Sequence, residues 1–260
     1  MDQKFVILVG TSCSGKSSII NKLLELRPDL FAVPVSATTR AKRPDEDGSE
    51  YVFMAEDEFL RLREDGGLLE SAMYSGCWYG LLRNSVQAIL DQGKIPIRAM
   101  EIVGAMSDMG GIDKLVIFVD RNIEACLSDL LDRDISKEEK VRRILRMKED
   151  MDDRQKCDAF VDNNGSLICS AANILGMLHL PTVFDATFVS VWDEQDECRA
   201  ACKVDLQSGL VFDIQPCGYT PEDGILTAEL VEFDTPTAEY VFDVEEIDNE
   251  YRISGLSKEE

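Results

Sequence analysis

The stretch Gly10-Thr11-Ser12-Cys13-Ser14-Gly15-Lys16-Ser17 fits G-x-x-x-x-G-K-[ST] at every fixed position. It constrains the fold more than any other feature, because the pattern has meaning only between a strand and a helix. Apolar Phe5-Val-Ile-Leu-Val9 precedes it, and helix formers follow from Ser17 through Glu25. Strand, glycine loop and helix start make a P-loop, whose backbone N–H groups and positive helix end surround a phosphate. In such a loop Gly10, Thr11, Ser12, Cys13, Ser14, Gly15, Lys16, Ser17 and Ser18 cradle a triphosphate. Lys16 reaches the β- and γ-phosphates, and the Ser17 hydroxyl ligates Mg²⁺. The expected ligand is therefore ATP or a similar triphosphate. Motors, switches and kinases share this loop, so the rest of the chain must decide its use.

The 260 residues suffice for one large domain or two smaller ones, each with a core. With 45% hydrophobic and 30% charged residues the chain reads as soluble and globular. Its longest mostly apolar run, 167–180, is too short to span a bilayer, so no membrane is expected. Met1-Asp-Gln-Lys4 runs straight into the first strand without a leader pattern, so a cytoplasmic location is expected. Eight cysteines lie scattered at 13, 77, 126, 157, 169, 198, 202 and 217 without a C-x-x-C pair, and His179 is the single histidine. That spacing argues against zinc and fits reduced thiols. A net charge of −23 argues against a nucleic-acid partner, which needs a basic face. The charge is uneven: residues 1–180 hold 23 Lys and Arg against 30 Asp and Glu, whereas residues 181–260 hold 4 against 20.

The pattern of elements changes at the same place. Up to about residue 180, apolar runs at 5–9, 31–36, 95–100, 115–119 and 159–161 alternate with helical segments at 16–27, 84–91, 122–131, 137–150 and 166–178. Continuous β-rich runs between helices predict an α/β fold with a parallel sheet covered on both faces. Residues 37–80 are predicted to form an insertion over the sheet's carboxyl edge, where ligands bind in such folds. Beyond Leu180-Pro181 the period becomes two, which predicts a small acidic antiparallel β domain over 184–252, with 253–260 as a flexible tail. A fragment 1–182 is then expected to fold alone. The acidity suits solubility or an unknown basic protein partner.

The segment Val35 to Phe53 places Arg40, Lys42 and Arg43 close together, with Tyr51 shortly after. Guanidinium forks and a tyrosine hydroxyl match phosphate oxygens. Glu70, in Leu68-Leu-Glu70, and Tyr79, in Cys77-Trp-Tyr79-Gly80, follow in the same insertion. P-loop, Ser36-Ala-Thr-Thr-Arg40-Ala-Lys-Arg43, Glu50-Tyr51-Val-Phe53, Leu69-Glu70 and Tyr79-Gly80 together resemble the guanylate kinase family over roughly residues 4–180. The resemblance implies a P-loop nucleoside monophosphate kinase fold and phosphorylation of GMP or dGMP by ATP with Mg²⁺. It implies that Arg40, Arg43, Tyr51 and Tyr79 hold the GMP phosphate, while Ser36 and Glu70 read guanine. It also implies a lid over about 131–145, in which Arg133 and Arg143 act with Lys16 on the phosphoryl group in flight; Arg146 competes with Arg143 for that place.

Four departures bear on function. Cys13 stands where the family has Gly or Ala. Leu81 stands where a hydroxyl helps read the base, Ala99 has lost an acidic residue, and Glu101 is a lengthened version of another beside the base and metal. These predict looser guanine reading, with Leu81→Ser lowering the KM for GMP. Two rival readings stay open: a non-catalytic scaffold that uses the cleft to bind protein, and a kinase for a different or modified nucleotide.

Overall fold

The computed structural model describes residues 4–42, 50–74, 76–193, 196–215, 228–234, 239–247 and 250–259. Contacts divide the chain into two compact units, residues 1–164 and 165–260.

The first unit is built on a five-stranded parallel sheet of β1 (Phe5–Val9), β2 (Phe31–Ala32), β7 (Ile95–Ala99), β8 (Lys114–Asp120) and β9 (Ala159–Asp162), in the order β2-β7-β1-β8-β9. Every residue of β1 is buried, as a strand covered on both faces requires. Phe5, Ile7 and Val9 enter one core with Leu69, Leu81, Val86, Val116 and Phe118. Between the strands run α1 (Lys16–Leu26), α3 (Arg83–Asp91), the short α4 (Ile102–Met106), α5 (Ile123–Asp132) and α6 (Lys137–Asp152).

Pro96 lies inside this sheet, and register accounts for it. Ile95 N–H donates to the Leu30 carbonyl on the β2 side, and Met100 N–H donates to the Leu8 carbonyl on the β1 side. Even-numbered residues of β7 therefore aim N–H groups at β1. The β1–β7 ladder begins only at the Val6–Ile97 pair, so the donor that proline lacks falls just before it.

The run 31–36 is two strands, not one. β2 ends at Ala32, and β3 (Ser36–Thr38) belongs to a second, four-stranded sheet with β4 (Tyr51–Phe53), β5 (Leu68–Tyr74) and β6 (Cys77–Leu82) in the order β4-β3-β6-β5. Val33-Pro34 separates them: proline lacks the ladder donor, so the chain leaves one sheet and enters the other. This second sheet and α2 (Glu56–Glu64) form the predicted insertion.

The second unit contains α7 (Leu167–Met177) and a closed antiparallel barrel in the order β10-β11-β12-β15-β14-β13. Its strands are β10 (Val183–Asp193), β11 (Asp196–Asp205), β12 (Leu210–Phe212), β13 (Ala228–Asp234), β14 (Glu239–Ile247) and β15 (Glu250–Glu259). Ala200, Cys202 and Val204, and Tyr240, Phe242 and Val244, alternate inward at period two. The chain reverses at Gly209, whose φ of 73° suits glycine.

Two expectations change. The segment 253–260 was expected to be a flexible tail, yet β15 pairs with β14 along its length. Register shifts set Ile253 opposite Val244 and Leu256 opposite Phe242, so partners two apart on β14 meet residues three apart on β15 and a period-two pattern is broken. The division between units falls at 164/165, ahead of α7, not near 180. A change of period marks where helix gives way to strand, which is not where tertiary contacts divide. A fragment ended at residue 182 carries α7 out of the second unit.

Candidate active site

The P-loop joins β1 to α1, and two steric contacts dictate its glycines. Gly10 has φ 144°, and a Cβ there would meet the Val119 carbonyl oxygen at 2.7 Å; Gly15 has φ 94°, and a Cβ there would meet Asn163 Nδ2 at 2.2 Å. Asn163 uses that space to donate from Nδ2 to the Ser14 carbonyl at 2.8 Å, tying the loop to the end of β9. Arg121 donates to the Cys13 carbonyl at 2.8 Å. Cys13 itself adopts φ 64°, a left-handed conformation that glycine accepts at lower cost. Lys16 Nζ donates to the carbonyls of Gly10 and Thr11, both at 2.8 Å, and so spans the loop. Burial lowers its pKa, while Glu101 and Asp150 oppose the shift.

This loop opens into a cleft of about 530 Å³. Gly10, Ser12, Cys13, Gly15, Lys16, Ser17 and Ser18 line it; Thr11 and Ser14 are buried beneath. Ser36, Tyr51, Glu70, Tyr79 and Glu101 line the same cleft, as do Arg133 and Arg143. Arg40 is not a lining residue; its guanidinium lies 5.2 Å from the Tyr51 ring centre. Arg43 lies outside the described residues.

A bulge aims Glu70. Leu68 pairs with Leu82 and Glu70 with Leu81, so Leu69 is the extra residue of β5. Leu68 and Leu69 consequently enter different cores, and Glu70 turns into the cleft. Gly104 leaves room for it, since a Cβ there would approach Glu70 Oε2 to 3.2 Å. Burial raises the Glu70 pKa, against the opposing effects of Arg98 and the Leu81 backbone N–H. Tyr51 and Tyr79 meet edge to face with ring centres 6.2 Å apart.

Leu81 itself is 0% exposed and packs in the sheet's core, not in the cleft, which corrects its expected place beside the base. Ser36 pairs directly with both Tyr51 and Leu81 in register.

The arginine-lined side of the cleft comes from the α5–α6 connection and α6. Ser136 caps α6 by accepting from Glu139 N–H at 3.1 Å, in the S-x-x-E pattern of a capping box. Glu139 pairs with Arg142 at 2.9 Å and with Arg143 at 2.8 Å. Arg146 reaches across to Glu101 at 2.6 Å. Sequence reasoning missed Arg98 and Asp150 as lining residues. Asp150 carries a usable signal, since it lies one helical turn beyond Arg146 on α6.

Burial first, and then Glu101, raises the Asp150 pKa from 3.8 to about 6, with Arg146 and Lys16 opposing. An acid raised in the folded state costs stability when ionised, and that cost vanishes below its unfolded value. Asp150→Asn is therefore expected to raise the unfolding temperature at about pH 8 and leave it unchanged at about pH 3. Thermal unfolding at the two pH values checks this; an equal shift at both would contradict it.

A P-loop on a parallel sheet, an inserted second sheet and arginines from the end of α5 and from α6 lining one cleft define a P-loop nucleotide kinase. A family profile described as Guanylate kinase matches residues 2–166. A guanylate kinase from Salinibacter ruber is 34% identical over 169 residues, covering 63% of this chain and 89% of that protein. One from Nostoc is 33% identical over 165 residues, covering 62% and 82%. The crystal structure of guanylate kinase from Anaplasma phagocytophilum shares the fold, with a TM-score of 0.52 at 24% identity, covering 68% of this chain and 85% of that one. The chain belongs to the guanylate kinase family and is a phosphotransferase of that type. The family match ends at residue 166 and leaves the barrel outside it.

Proposed function

We propose that this chain transfers the terminal phosphoryl group of ATP to a phosphate oxygen of GMP or dGMP, giving ADP and GDP or dGDP. One observation carries the reading. A single cleft is lined by the P-loop, by Glu70, Tyr51 and Tyr79, and by Arg133 and Arg143. The bond from the γ-phosphorus to the β–γ bridging oxygen breaks as a bond to the GMP phosphate oxygen forms in line, with no covalent intermediate on the protein. Catalysis is then alignment of two nucleotides plus neutralisation of charge by Lys16, Arg133 and Arg143. Arg40, Tyr51 and Tyr79 hold the acceptor phosphate, and Ser36 and Glu70 read its base.

The residues present fit Mg²⁺. Ser17 and the carboxylates of Glu101 and Asp150 offer only hard oxygen donors to the cleft. Among the described residues no three His, Cys, Asp or Glu side chains gather into a cage. Mg²⁺ in such enzymes takes one or two protein ligands and completes its shell with phosphates and water, and the ion would neutralise charge on the moving group.

No helix among the described residues is long and apolar enough to cross a membrane. A cytoplasmic location belongs to the same reading and rests on the free thiols of Cys13, Cys77, Cys126, Cys157, Cys169 and Cys202.

Isothermal titration with GMP, dGMP and AMP, with and without a non-hydrolysable ATP analogue, tests the acceptor. Guanine nucleotides should bind at least about tenfold tighter than AMP, the discrimination of one charge-assisted hydrogen bond. Equal binding of AMP would overturn the choice of base.

A further inference from the structure

Arg98 lies near the carboxyl end of β7, opposite Ile7 of β1, where it is half-buried and lines the cleft. Its surroundings show what it serves. Nη1 donates to the Pro34 carbonyl at 2.5 Å, and the guanidinium lies 5.3 Å from the Tyr51 ring centre. Its charge acts on the Glu70 carboxylate, yet among the described residues no ion pair joins the two. Five N–H donors in a planar fork leave four after the Pro34 bond. The cleft is also lined by the small residues Ser36, Ala72, Gly80, Ala99 and Gly104 and by Met100, Tyr51 and Tyr79, none of them charged. The other cations lining the cleft, Lys16, Arg133, Arg143 and Arg146, come from the P-loop, the end of α5 and α6.

We propose that Arg98 is a base-reading residue, donating to O6 and N7 of guanine while Glu70 accepts from N1–H and the 2-amino group. The inference rests on guanine nucleotide being the acceptor. Guanine carries acceptor and donors side by side on its edge, and Arg paired with O6 and N7 is a strong match. An acid and a base that face one cleft without pairing to each other suit that edge. Adenine presents an amino donor where guanine has O6, so Arg98 meets a donor with donors and rejects it. Leu81 is in the core, so Arg98 supplies the donor that a hydroxyl at that position would have given.

Steady-state kinetics of the full chain with GMP, IMP and AMP test the assignment. IMP keeps O6, N7 and N1–H and lacks the 2-amino group. Arg98→Met should raise the KM for GMP and IMP together by about 10- to 100-fold, the loss of charge-assisted hydrogen bonds. The GMP-to-IMP ratio and the Kd for a non-hydrolysable ATP analogue should not move, while the AMP KM should fall as the donor–donor clash is removed. Glu70→Gln should instead narrow the GMP-to-IMP ratio. Arg98→Lys keeps the charge without the fork and should give a smaller rise for GMP and IMP, which keeps the test open if Arg98→Met fails to fold. Equal loss across GMP, IMP and AMP would make Arg98 a phosphate holder, and no loss would make it structural; either overturns the inference. A wild-type chain with no preference for GMP over AMP would overturn the acceptor reading itself, before any variant is measured.

Discussion

Lys16→Met is expected to lower turnover by about 10²–10³-fold, the cost of removing one preorganised charge from a transition state, while the unfolding temperature holds or rises. The two halves have separate causes. Lys16 spans the loop through the Gly10 and Thr11 carbonyls, where its ammonium can follow charge moving off the γ-phosphate. Burial disfavours that ammonium, so its charge costs stability over the whole range below its usual pKa of 10.5. Methionine keeps much of the stem and removes the charge. Lost rate with retained stability is the signature of a residue kept for function. Phosphoryl-transfer rates at saturating nucleotide, measured beside thermal unfolding, check both. A near-normal rate would mean that the P-loop is not the working site.

Leu81→Ser is expected to cost about 3–5 kcal/mol of stability, from a cavity left by a buried leucine and a hydroxyl placed in it. For a unit of this size that lowers the unfolding temperature by roughly 10 °C or more. The sequence alone predicts a different outcome, a lower KM for GMP. Leu81 is 0% exposed among Phe5, Ile7, Val86 and Phe118, so a serine there loses packing and does not line the cleft. Thermal unfolding and the KM for GMP decide between the two. An unchanged unfolding temperature with a lowered KM would restore the first expectation.

Leu81 illustrates which features were legible. The P-loop could be read because its parts are contiguous, whereas the contacts that require Gly10 and Gly15, with Val119 and Asn163, come from far along the chain and leave no local mark. Glu70 was found by its neighbours in the sequence, but the bulge at Leu69 that aims it depends on register with β6 and leaves no local mark. Arg98 leaves no mark of its role in the sequence, since alternation cannot tell a core-facing position from one at the rim of a cleft. Arg143 and Arg146 could not be separated by spacing; the fold gives them different partners, Glu139 and Glu101. The barrel's inner face followed from period two, whereas β15 was hidden by register shifts.

The central claim is that one cleft aligns ATP with a guanine nucleotide for phosphoryl transfer. Initial rates of ADP release by the full chain, with ATP and Mg²⁺ and each of GMP, AMP, CMP and UMP as acceptor, test it most directly. The account predicts rapid release with GMP and release near the acceptor-free background with the others. Release no faster with GMP than with the other three, or no release above background with any, would contradict it.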